Sequence, residues 1–302
     1  MQQYYPILQP NKDFRFTETL TITKGRRVKR SAEVFPSSTQ QEQTQAFFKY
    51  RAEGYQTSEL CSEKIASELA HLLGYRCARI EFAVDEDDMP GILSFLFTNS
   101  SIQHIDAVAF LKDAVDEKPK DFYRYSHVRA KLDAMNETFF PEFVSILFFD
   151  ALVGEGDRHE ENWGICEIKS PGTNDNVTET RYRISPLYDT GDCLLRDFAE
   201  PSFAQKYYDG PCSFASYITR AKAMLRDDNG KKFNHFKLME FLNDEFHDII
   251  KTNIEKLKQE LKDEVINKII ESIPEEMLTT QHRDFIKDYI KERRDILIGM
   301  EK

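Results

Sequence analysis

Two short stretches of the chain place oxygen-bearing side chains at spacings that suit phosphoryl transfer. Asp157 and Asn162 lie in the run Gly154–Asn162, and Asp189 follows an apolar segment in an Asp-x-Gly sequence. Carboxylate and amide oxygens are hard ligands of the kind that magnesium prefers, and a bound metal neutralises phosphate charge during transfer. In such a site Asp157 would orient or accept the proton of the attacking hydroxyl, and Asn162 and Asp189 would hold magnesium.

The five-residue offset between Asp157 and Asn162 favours a loop. On an α-helix that offset is about 500°, so the two side chains would point roughly 140° apart around the axis. Gly154 and Gly156 favour a loop, in which the two side chains can converge. Asp and Asn are also ordinary loop residues, and the spacing alone is therefore a weak indication of function.

A lysine and a glutamate in the N-terminal part complete a set whose order along the chain is that of protein kinases. Lys49 lies on a predicted strand and would bind the α- and β-phosphates of ATP, although it could equally be a solvated strand lysine. Arg51 lies on the same face of that strand and competes for this role. The following helix offers three glutamates as the partner of Lys49: Glu59, Glu63 and Glu68.

The elements that must position these residues change in character near residue 100. Residues 1–99 are predicted to form an N-lobe, a five-stranded antiparallel sheet with the single helix Thr57–Leu73. Period-two patterns and β-branched residues indicate these strands: Glu18–Thr23, Ser31–Phe35, Gln45–Arg51, Arg79–Val84 and Ile92–Phe97.

Residues 100–302 are predicted to form a larger, mostly helical C-lobe. The helix candidates are Ile105–Val115, Phe122–Met135, Phe140–Val153, Asn253–Ser272 and Thr280–Met300. A hairpin of Trp163–Ile168 and Arg181–Ile184 would bring Asn162 and Asp189 together. The predicted fold class is therefore α+β, a two-lobed protein-kinase-like fold.

Composition excludes several other classes of protein. The net charge of -11 disfavours nucleic acid as a direct partner. The sequence contains no run of roughly 20 apolar residues and no basic-then-apolar start, so neither a membrane span nor a secretory signal is expected. The five scattered cysteines predict reduced thiols in a cytoplasmic protein.

Several segments together resemble the HipA-like serine/threonine kinases of bacteria, a family that includes kinase toxins of toxin–antitoxin modules and some secreted kinases. The segments are Gly25–Arg27, Phe48–Tyr50, Ser62–Ala70, Gly156–Gly164 and Ser185–Gly191. The resemblance runs over about residues 20 to 300. It implies a two-lobed kinase fold with ATP and Mg²⁺ as cofactors.

Residue roles follow from the same resemblance. Asp157 would be the catalytic base, with Asn162 and Asp189 as magnesium ligands. Lys49 would bind ATP phosphates, and Glu63 would be its ion-pair partner.

The phosphate loop departs from the usual glycine-rich pattern. It has one glycine, so the resemblance implies that the backbone of Gly25 and the side chains of Lys24 and Arg26 hold the phosphates. The extra N-terminal subdomain of HipA toxins would be missing or reduced to about residues 1–17. The family also implies autophosphorylation of a serine in this region, for which the candidates are Ser31, Ser37 and Ser38.

The resulting expectation is an ATP- and magnesium-dependent protein serine/threonine kinase that acts on an unidentified protein and has an antitoxin as a further partner. Two alternatives remain open at this point: a kinase of a small molecule or lipid, and a nucleotide-binding pseudokinase with a regulatory role. The expected location is the cytoplasm, with export into a host cell as the alternative for an effector.

Overall fold

The computed structural model describes residues 3–17, 21–22, 28–36, 44–51, 58–114, 118–171, 178–194 and 214–301. These residues form a sheet-rich N-lobe and a helical C-lobe, which confirms the predicted α+β class. Across the described ranges, no helix combines the length and the apolar character needed to cross a membrane.

The N-lobe is built on a curled sheet. Its strands are β1 (Ile7–Leu8), β2 (Phe14–Phe16), β3 (Thr21–Ile22), β4 (Val28–Val34), β5 (Thr44–Tyr50), β6 (Ile80–Val84) and β7 (Pro90–Phe95). The strand order is β1-β6-β7-β5-β4-β2, and β3 pairs with β4. The pairs are antiparallel, except that β1 runs parallel to β6.

The N-lobe sheet differs from the predicted one in strand number and direction. Within the described residues it has seven strands rather than five, and one of its pairs is parallel. Strands β1 and β2 have two and three residues, which is too short for a period-two pattern to emerge. Of the predicted strand Glu18–Thr23, only Thr21–Ile22 lies within the described residues.

Helix α1 (Ser58–Leu72) packs against β6 and β7 of this sheet, and its apolar residues Leu60, Ile65 and Leu69 are fully buried. The chain leaves the helix through Gly74, whose φ of 74° is in the left-handed region that glycine adopts without strain. Both ends lie within one residue of the prediction, because strong helical periodicity is a local property of the sequence.

The C-lobe is organised around one apolar helix. Its helices are α2 (Val108–Leu111), α3 (Pro119–Phe122), α4 (Tyr125–Met135), α5 (Phe139–Val153), α6 (Phe214–Arg220), α7 (His235–Asn243), α8 (His247–Glu260), α9 (Asp263–Glu271) and α10 (Thr280–Ile298). Helix α5 is buried on nearly all sides and contacts α4, α7, α8 and α10. It delivers the chain directly into Gly154, as the sequence predicted.

A small sheet follows the loop that contains Asp157. Strands β9 (Gly164–Pro171) and β10 (Thr178–Ile184) form the predicted hairpin, and β8 (Ile102–Asp106) pairs with β9. A separate hairpin joins β11 (Lys222–Arg226) to β12 (Lys232–Asn234).

Two helix predictions were wrong in part. Ile105 and Asp106, the first two residues of the predicted helix Ile105–Val115, belong to β8 instead, because the backbone of β8 pairs with β9 about 60 residues further along the chain. The predicted helix Asn253–Ser272 is two helices, α8 and α9, separated at Leu261 and Lys262. Leu261 has non-helical dihedral angles and is almost fully buried, so packing ends the first helix there.

Candidate active site

The loop that contains Asp157 begins where α5 ends. Gly154 has a φ of 75°, and its N–H donates to the Asp150 carbonyl at 2.8 Å. A Cβ atom at this position would overlap the hydroxyl of Tyr289. Both the backbone conformation and the available space therefore require glycine at the point where the helix ends.

Arg158 ties three parts of the site together. Its Nη2 lies 3.0 Å from Oδ1 of Asp150, and both side chains are buried. Its Nη1 donates to the carbonyl of Asn162 at 3.0 Å and to the carbonyl of Tyr188 at 2.8 Å. One guanidinium thus links α5, the loop and the residue before Asp189.

Electrostatics keep the Arg158 guanidinium charged. Burial alone would lower its pKa, but the Asp150 carboxylate outweighs that effect and raises the pKa above its ordinary value. A buried arginine that faces a carboxylate and two carbonyls has most of its donors satisfied, so the loop is held in one arrangement.

An aromatic layer supports the loop from below. The Tyr123 hydroxyl donates to the Arg158 carbonyl at 2.8 Å and accepts from Trp163 Nε1 at 2.9 Å. The Trp163 ring stacks on Phe143 of α5, with ring centroids 4.1 Å apart. Burial raises the pKa of Tyr123 well above its ordinary value, so its hydroxyl keeps its proton as a donor.

The structure brings Asp157 and Asn162 into contact. Asn162 Nδ2 donates to the Asp157 carbonyl at 2.7 Å, and the Asp157 N–H donates to Glu155 Oε1 at 2.8 Å. The Asp157 carboxylate is half exposed, with Nε2 of His159 at 3.8 Å from its Oδ2. The loop backbone is therefore fixed from both sides, while the carboxylate remains accessible to a substrate.

Lys49 meets Asp189 across the two lobes. Its Nζ pairs with Glu63 on α1 and lies 3.1 Å from Oδ1 of Asp189. Lys49 and Glu63 are almost completely buried, whereas Arg51 is exposed. The site thus has lysine, glutamate and aspartate in direct contact, although Asp189 is 140 residues from Lys49 in the chain.

Asp189 has an unusual backbone. Its φ of 53° is in the left-handed region that non-glycine residues adopt rarely. The contacts on either side hold it there, since the carbonyl of Tyr188 accepts from Arg158 and the Asp189 carboxylate contacts Lys49. Backbone strain of this kind is common at functional sites, where the surrounding structure compensates for it.

The donor set suits a magnesium ion that arrives with phosphate. With its nitrogen directed at Asp157, Asn162 has an amide oxygen without a protein hydrogen bond among the described residues. Asp189 adds a carboxylate. The described residues contain no cluster of three or more His, Cys, Asp or Glu that could hold a metal by themselves. Magnesium commonly takes one or two protein oxygens, with phosphate and water completing its shell.

Three predicted phosphate contacts, Lys24, Gly25 and Arg26, lie outside the described residues. Conversely, sequence reasoning assigned no role to Asp150 and Glu155, which hold the loop. Asp150 carried a usable signal, because a single acid within the apolar helix Phe139–Val153 requires a buried partner. Glu155 carried no such signal, because only the structure shows that its carboxylate accepts a hydrogen bond from the Asp157 N–H.

Several buried polar atoms have no hydrogen-bond partner among the residues that the structure describes, including Glu155 Oε2, both ring nitrogens of His235 and Arg293 Nη2. Burial raises the pKa of Glu155 well above its ordinary value and lowers the pKa of His235 to about 3. His235 is therefore neutral at physiological pH, and ionisation of Glu155 is disfavoured.

Comparison with known proteins supports a kinase relationship. No model of a known protein family matches the chain. Its sequence is 25% identical over 159 residues to the serine/threonine-protein kinase CtkA of Helicobacter pylori, strain J99, a match covering 52% of this chain and 45% of CtkA. The chain thus matches slightly less than half the length of this curated relative.

The solved structures extend the similarity to the complete fold. The crystal structure of the H. pylori proinflammatory kinase CtkA superimposes with a TM-score of 0.74 at 18% identity, covering 97% of this chain and 98% of CtkA. The chain has the HipA-like kinase fold. HipA of Shewanella oneidensis MR-1, in a complex with HipB and operator DNA, gives a TM-score of 0.52 at 14% identity, covering 94% of this chain and 65% of HipA. The predicted two-lobed fold and the resemblance are confirmed.

Proposed function

We propose that the chain is an ATP- and magnesium-dependent protein serine/threonine kinase. The observation that carries this proposal is the contact of Lys49 with both Glu63 and Asp189, beside a loop that joins Asp157 to Asn162. This is the arrangement in which a kinase holds nucleotide phosphates against a metal ion and an acceptor hydroxyl. The similarity to CtkA, a serine/threonine-protein kinase, supports the same activity.

On the nucleotide side, Lys49 binds the α- and β-phosphates, and Glu63 fixes the position of its ammonium. Asn162 and Asp189 would hold the magnesium, which would neutralise the charge of the phosphate oxygens. Lys24, Gly25 and Arg26 are further contacts of the phosphates.

On the acceptor side, Asp157 orients the serine or threonine hydroxyl and accepts its proton. A bond forms between the hydroxyl oxygen and the γ-phosphorus while the bond from that phosphorus to ADP breaks. Glu155 and Asn162 hold the Asp157 backbone through the two hydrogen bonds described above. Positioning by these fixed groups supplies much of the rate, since the reaction needs little covalent help.

The test is transfer of labelled γ-phosphate by the Asp157→Asn variant. Loss of a general base reduces rates by about 10²- to 10⁴-fold, so labelling of protein should fall by that factor while the thermal unfolding midpoint stays unchanged. Asp288→Asn, at an exposed position on α10, is the matched control and should label normally.

The other possible outcomes lead to different conclusions. Undiminished labelling by Asp157→Asn would refute the role of that residue as base. ATP binding by the wild-type chain without any transfer would favour the pseudokinase. Transfer to a metabolite or lipid but not to protein would favour a small-molecule kinase.

Autophosphorylation and an antitoxin partner belong to the same proposal. HipA binds HipB in the complex noted above; for this chain such a partner is a prediction from the resemblance. Of the serine candidates, Ser31 lies half-buried on β4, opposite Phe47 of β5. Ser37 and Ser38 lie outside the described residues. Phosphopeptide mass spectrometry of the purified chain, with the Asp157→Asn variant as control, would identify any modified serine.

A further inference from the structure

A locally basic segment stands out on this acidic chain. Between Arg220 and Lys232 the sequence has five basic and two acidic side chains, although the whole chain has a net charge of -11. The segment runs from the end of α6 through the β11–β12 hairpin. Its position matters because an isolated positive region on an acidic surface attracts acidic groups selectively.

The two acidic residues of this segment are occupied by local hydrogen bonds. The Asp227 carboxylate accepts the N–H groups of Asn229 and Lys231 within the hairpin turn. The Asp228 carboxylate accepts from the N–H and hydroxyl of Ser126, at 3.2 and 2.6 Å. In the described part of the chain, neither of them pairs with a lysine of the hairpin.

The lysines of the hairpin are correspondingly available. Within the described residues, Lys222 and Lys231 have no ion-pair partner, and both are exposed. The ammonium of Lys232 is half-buried and donates to the thioether sulfur of Met224, which is a weak acceptor. Because its acceptor is weak, this ammonium can still bind an anionic ligand.

The hairpin adjoins the catalytic loop. The Arg226 N–H donates to the carbonyl of Tyr123, whose hydroxyl supports Arg158. Lys222 lines a cavity of about 330 Å³ together with Gly156 and Asp192, and the Gly156 N–H donates to the Asp192 carbonyl at 3.0 Å. The cavity therefore borders the residue that precedes Asp157.

Charge interactions connect Lys232 to the same place. Burial lowers its pKa, and the neighbouring cations Arg226 and Lys222 lower it further, while the carboxylates of Asp157 and Asp192 raise it. Lys232 is thus close enough to Asp157 to interact with it electrostatically. Without these lysines, the two carboxylates would repel an acidic group that approached the acceptor position.

We propose that Lys222 and Lys232 bind an acidic side chain of the protein substrate, beside the serine or threonine that receives the phosphate. This inference rests on the proposed kinase function and names a substrate class for it: protein segments with Asp or Glu close to the acceptor residue. Lys222 contacts the acidic group at the mouth of the cavity. Lys232 offsets the charge of Asp157 and Asp192.

The experiment is steady-state phosphorylation of serine and threonine peptide libraries in which one position at a time is fixed as acidic, neutral or basic. The wild-type chain should prefer acidic residues at one or more positions near the acceptor. The double variant Lys222→Glu, Lys232→Glu should raise the KM for acidic peptides about tenfold, because two solvent-screened attractions of a few fold each become repulsions. It should lower the KM for basic peptides, and the KM for ATP should stay within about twofold.

Lys251→Glu, at an exposed position on α8, changes the total charge without touching this surface and should keep the wild-type preference. A wild-type chain that phosphorylates acidic and basic peptides equally would overturn the inference while leaving the kinase function intact. So would a double variant that raises the KM for ATP but not for acidic peptides, which would assign the lysines to the nucleotide.

Binding separates this inference from the proposed function. Fluorescence anisotropy of labelled acidic and basic peptides, measured on Asp157→Asn, reports recognition without any transfer. Preferential binding of acidic peptides should be weakened by salt and lost when Lys222→Glu and Lys232→Glu are added to Asp157→Asn. That result would support recognition of acidic peptides by these lysines even if no phosphate is transferred. Equal binding of both peptides by Asp157→Asn would overturn it.

Discussion

At the scale of single residues, the site depends on charged side chains that are largely shielded from solvent. Lys49 and Glu63 are nearly inaccessible to water, and Asp189 contacts the same ammonium from the other lobe. Removing one member of a buried pair leaves an uncompensated charge, which costs about 3–5 kcal/mol. The pair is therefore maintained only while the strand, the helix and the Asp189 segment remain together.

Glu155 is the residue-scale support with the clearest pH dependence. Burial raises its pKa above the ordinary 4.5, with Asp150 and Asp192 adding to the shift and Arg158 opposing it. A carboxyl whose folded-state pKa is raised contributes stability below the unfolded-state pKa and loses that contribution as the pH rises. The loss of stability therefore begins near pH 4.5 and continues as the pH rises toward the elevated pKa of the folded state.

We predict that Glu155→Gln removes this loss of stability. Glutamine keeps an oxygen that accepts the Asp157 N–H and carries no charge. As the pH rises, the free energy of unfolding of the wild type should fall relative to that of the variant. The expected slope is about 1.4 kcal/mol per pH unit over the range in which the carboxyl is protonated in the folded state and ionised in the unfolded state. Urea unfolding at pH 5, 6, 7 and 8 measures the difference, with the exposed Glu264→Gln as control. Parallel curves for wild type and Glu155→Gln would contradict the prediction.

At the scale of elements, the end of α5 determines where the loop that carries Asp157 starts. The helix is buried along almost its entire length and cannot shift without disturbing the C-lobe core. Gly154 ends the helix in a left-handed conformation, and the Arg158 side chain contacts Asp150 on the last turn of the same helix. The loop is thus attached to its own helix at both of these points.

We predict that Gly154→Ala is much more destabilising than Gly74→Ala. Both glycines have a φ near 75°, so alanine is strained at either position by roughly 1 kcal/mol. A Cβ at Gly74 meets none of the described atoms within 4 Å, whereas one at Gly154 overlaps the Tyr289 hydroxyl. Overpacking adds about 1–3 kcal/mol at Gly154 only.

Urea denaturation of the two variants measures this difference, and Tyr289→Phe provides a further control. Combined with Gly154→Ala, it removes the hydroxyl that the new methyl group would meet and should restore part of the lost stability. Equal destabilisation by the two alanine variants would show that space around Gly154 is not limiting.

At the scale of the whole molecule, contacts between the lobes hold α1 in its place. The N–H of Tyr5 donates to the carbonyl of Ser272 at 2.7 Å, and the next residues, Ile7–Leu8, pair with β6 of the N-lobe sheet. The thiol of Cys61 on α1 faces the carbonyl of Met277 at 3.4 Å. The N-terminal strand and the C-terminal helices therefore brace the helix that carries Glu63.

We predict that removing residues 1–8 weakens this bracing. Loss of the Tyr5 hydrogen bond and of strand β1 should reduce the free energy of unfolding by roughly 2–4 kcal/mol, at about 1 kcal/mol for each hydrogen bond. Kinase activity should fall as well, because α1 is less firmly held. Thermal unfolding and a peptide assay measure the two effects.

The control for this truncation is Tyr4→Phe, which removes only the exposed hydrogen bond from Tyr4 to Glu275. It should change stability by less than about 1 kcal/mol, since exposed polar contacts contribute little. A truncated chain as stable and active as the full one would show that the N-terminal segment does not brace the lobes.

Local patterns in the sequence were sufficient to predict the long helices and to indicate the candidate site residues. Helices α1 and α5 were predicted within about one residue at each end, because their periodicity depends on neighbours three and four positions apart. The order of Lys49, Asp157, Asn162 and Asp189 along the chain was likewise sufficient to predict a kinase-like fold, which the structure shows. The roles of these residues in catalysis stay predictions.

Only the tertiary structure decided which groups meet. It pairs Lys49 with Glu63, which local patterns left among three glutamates of α1, and it places Ile105 and Asp106, predicted as the start of a helix, in strand β8. It also brings the basic hairpin to the edge of the loop that carries Asp157. These contacts join residues far apart in the chain, and their energies depend on burial and on partners that no local pattern specifies.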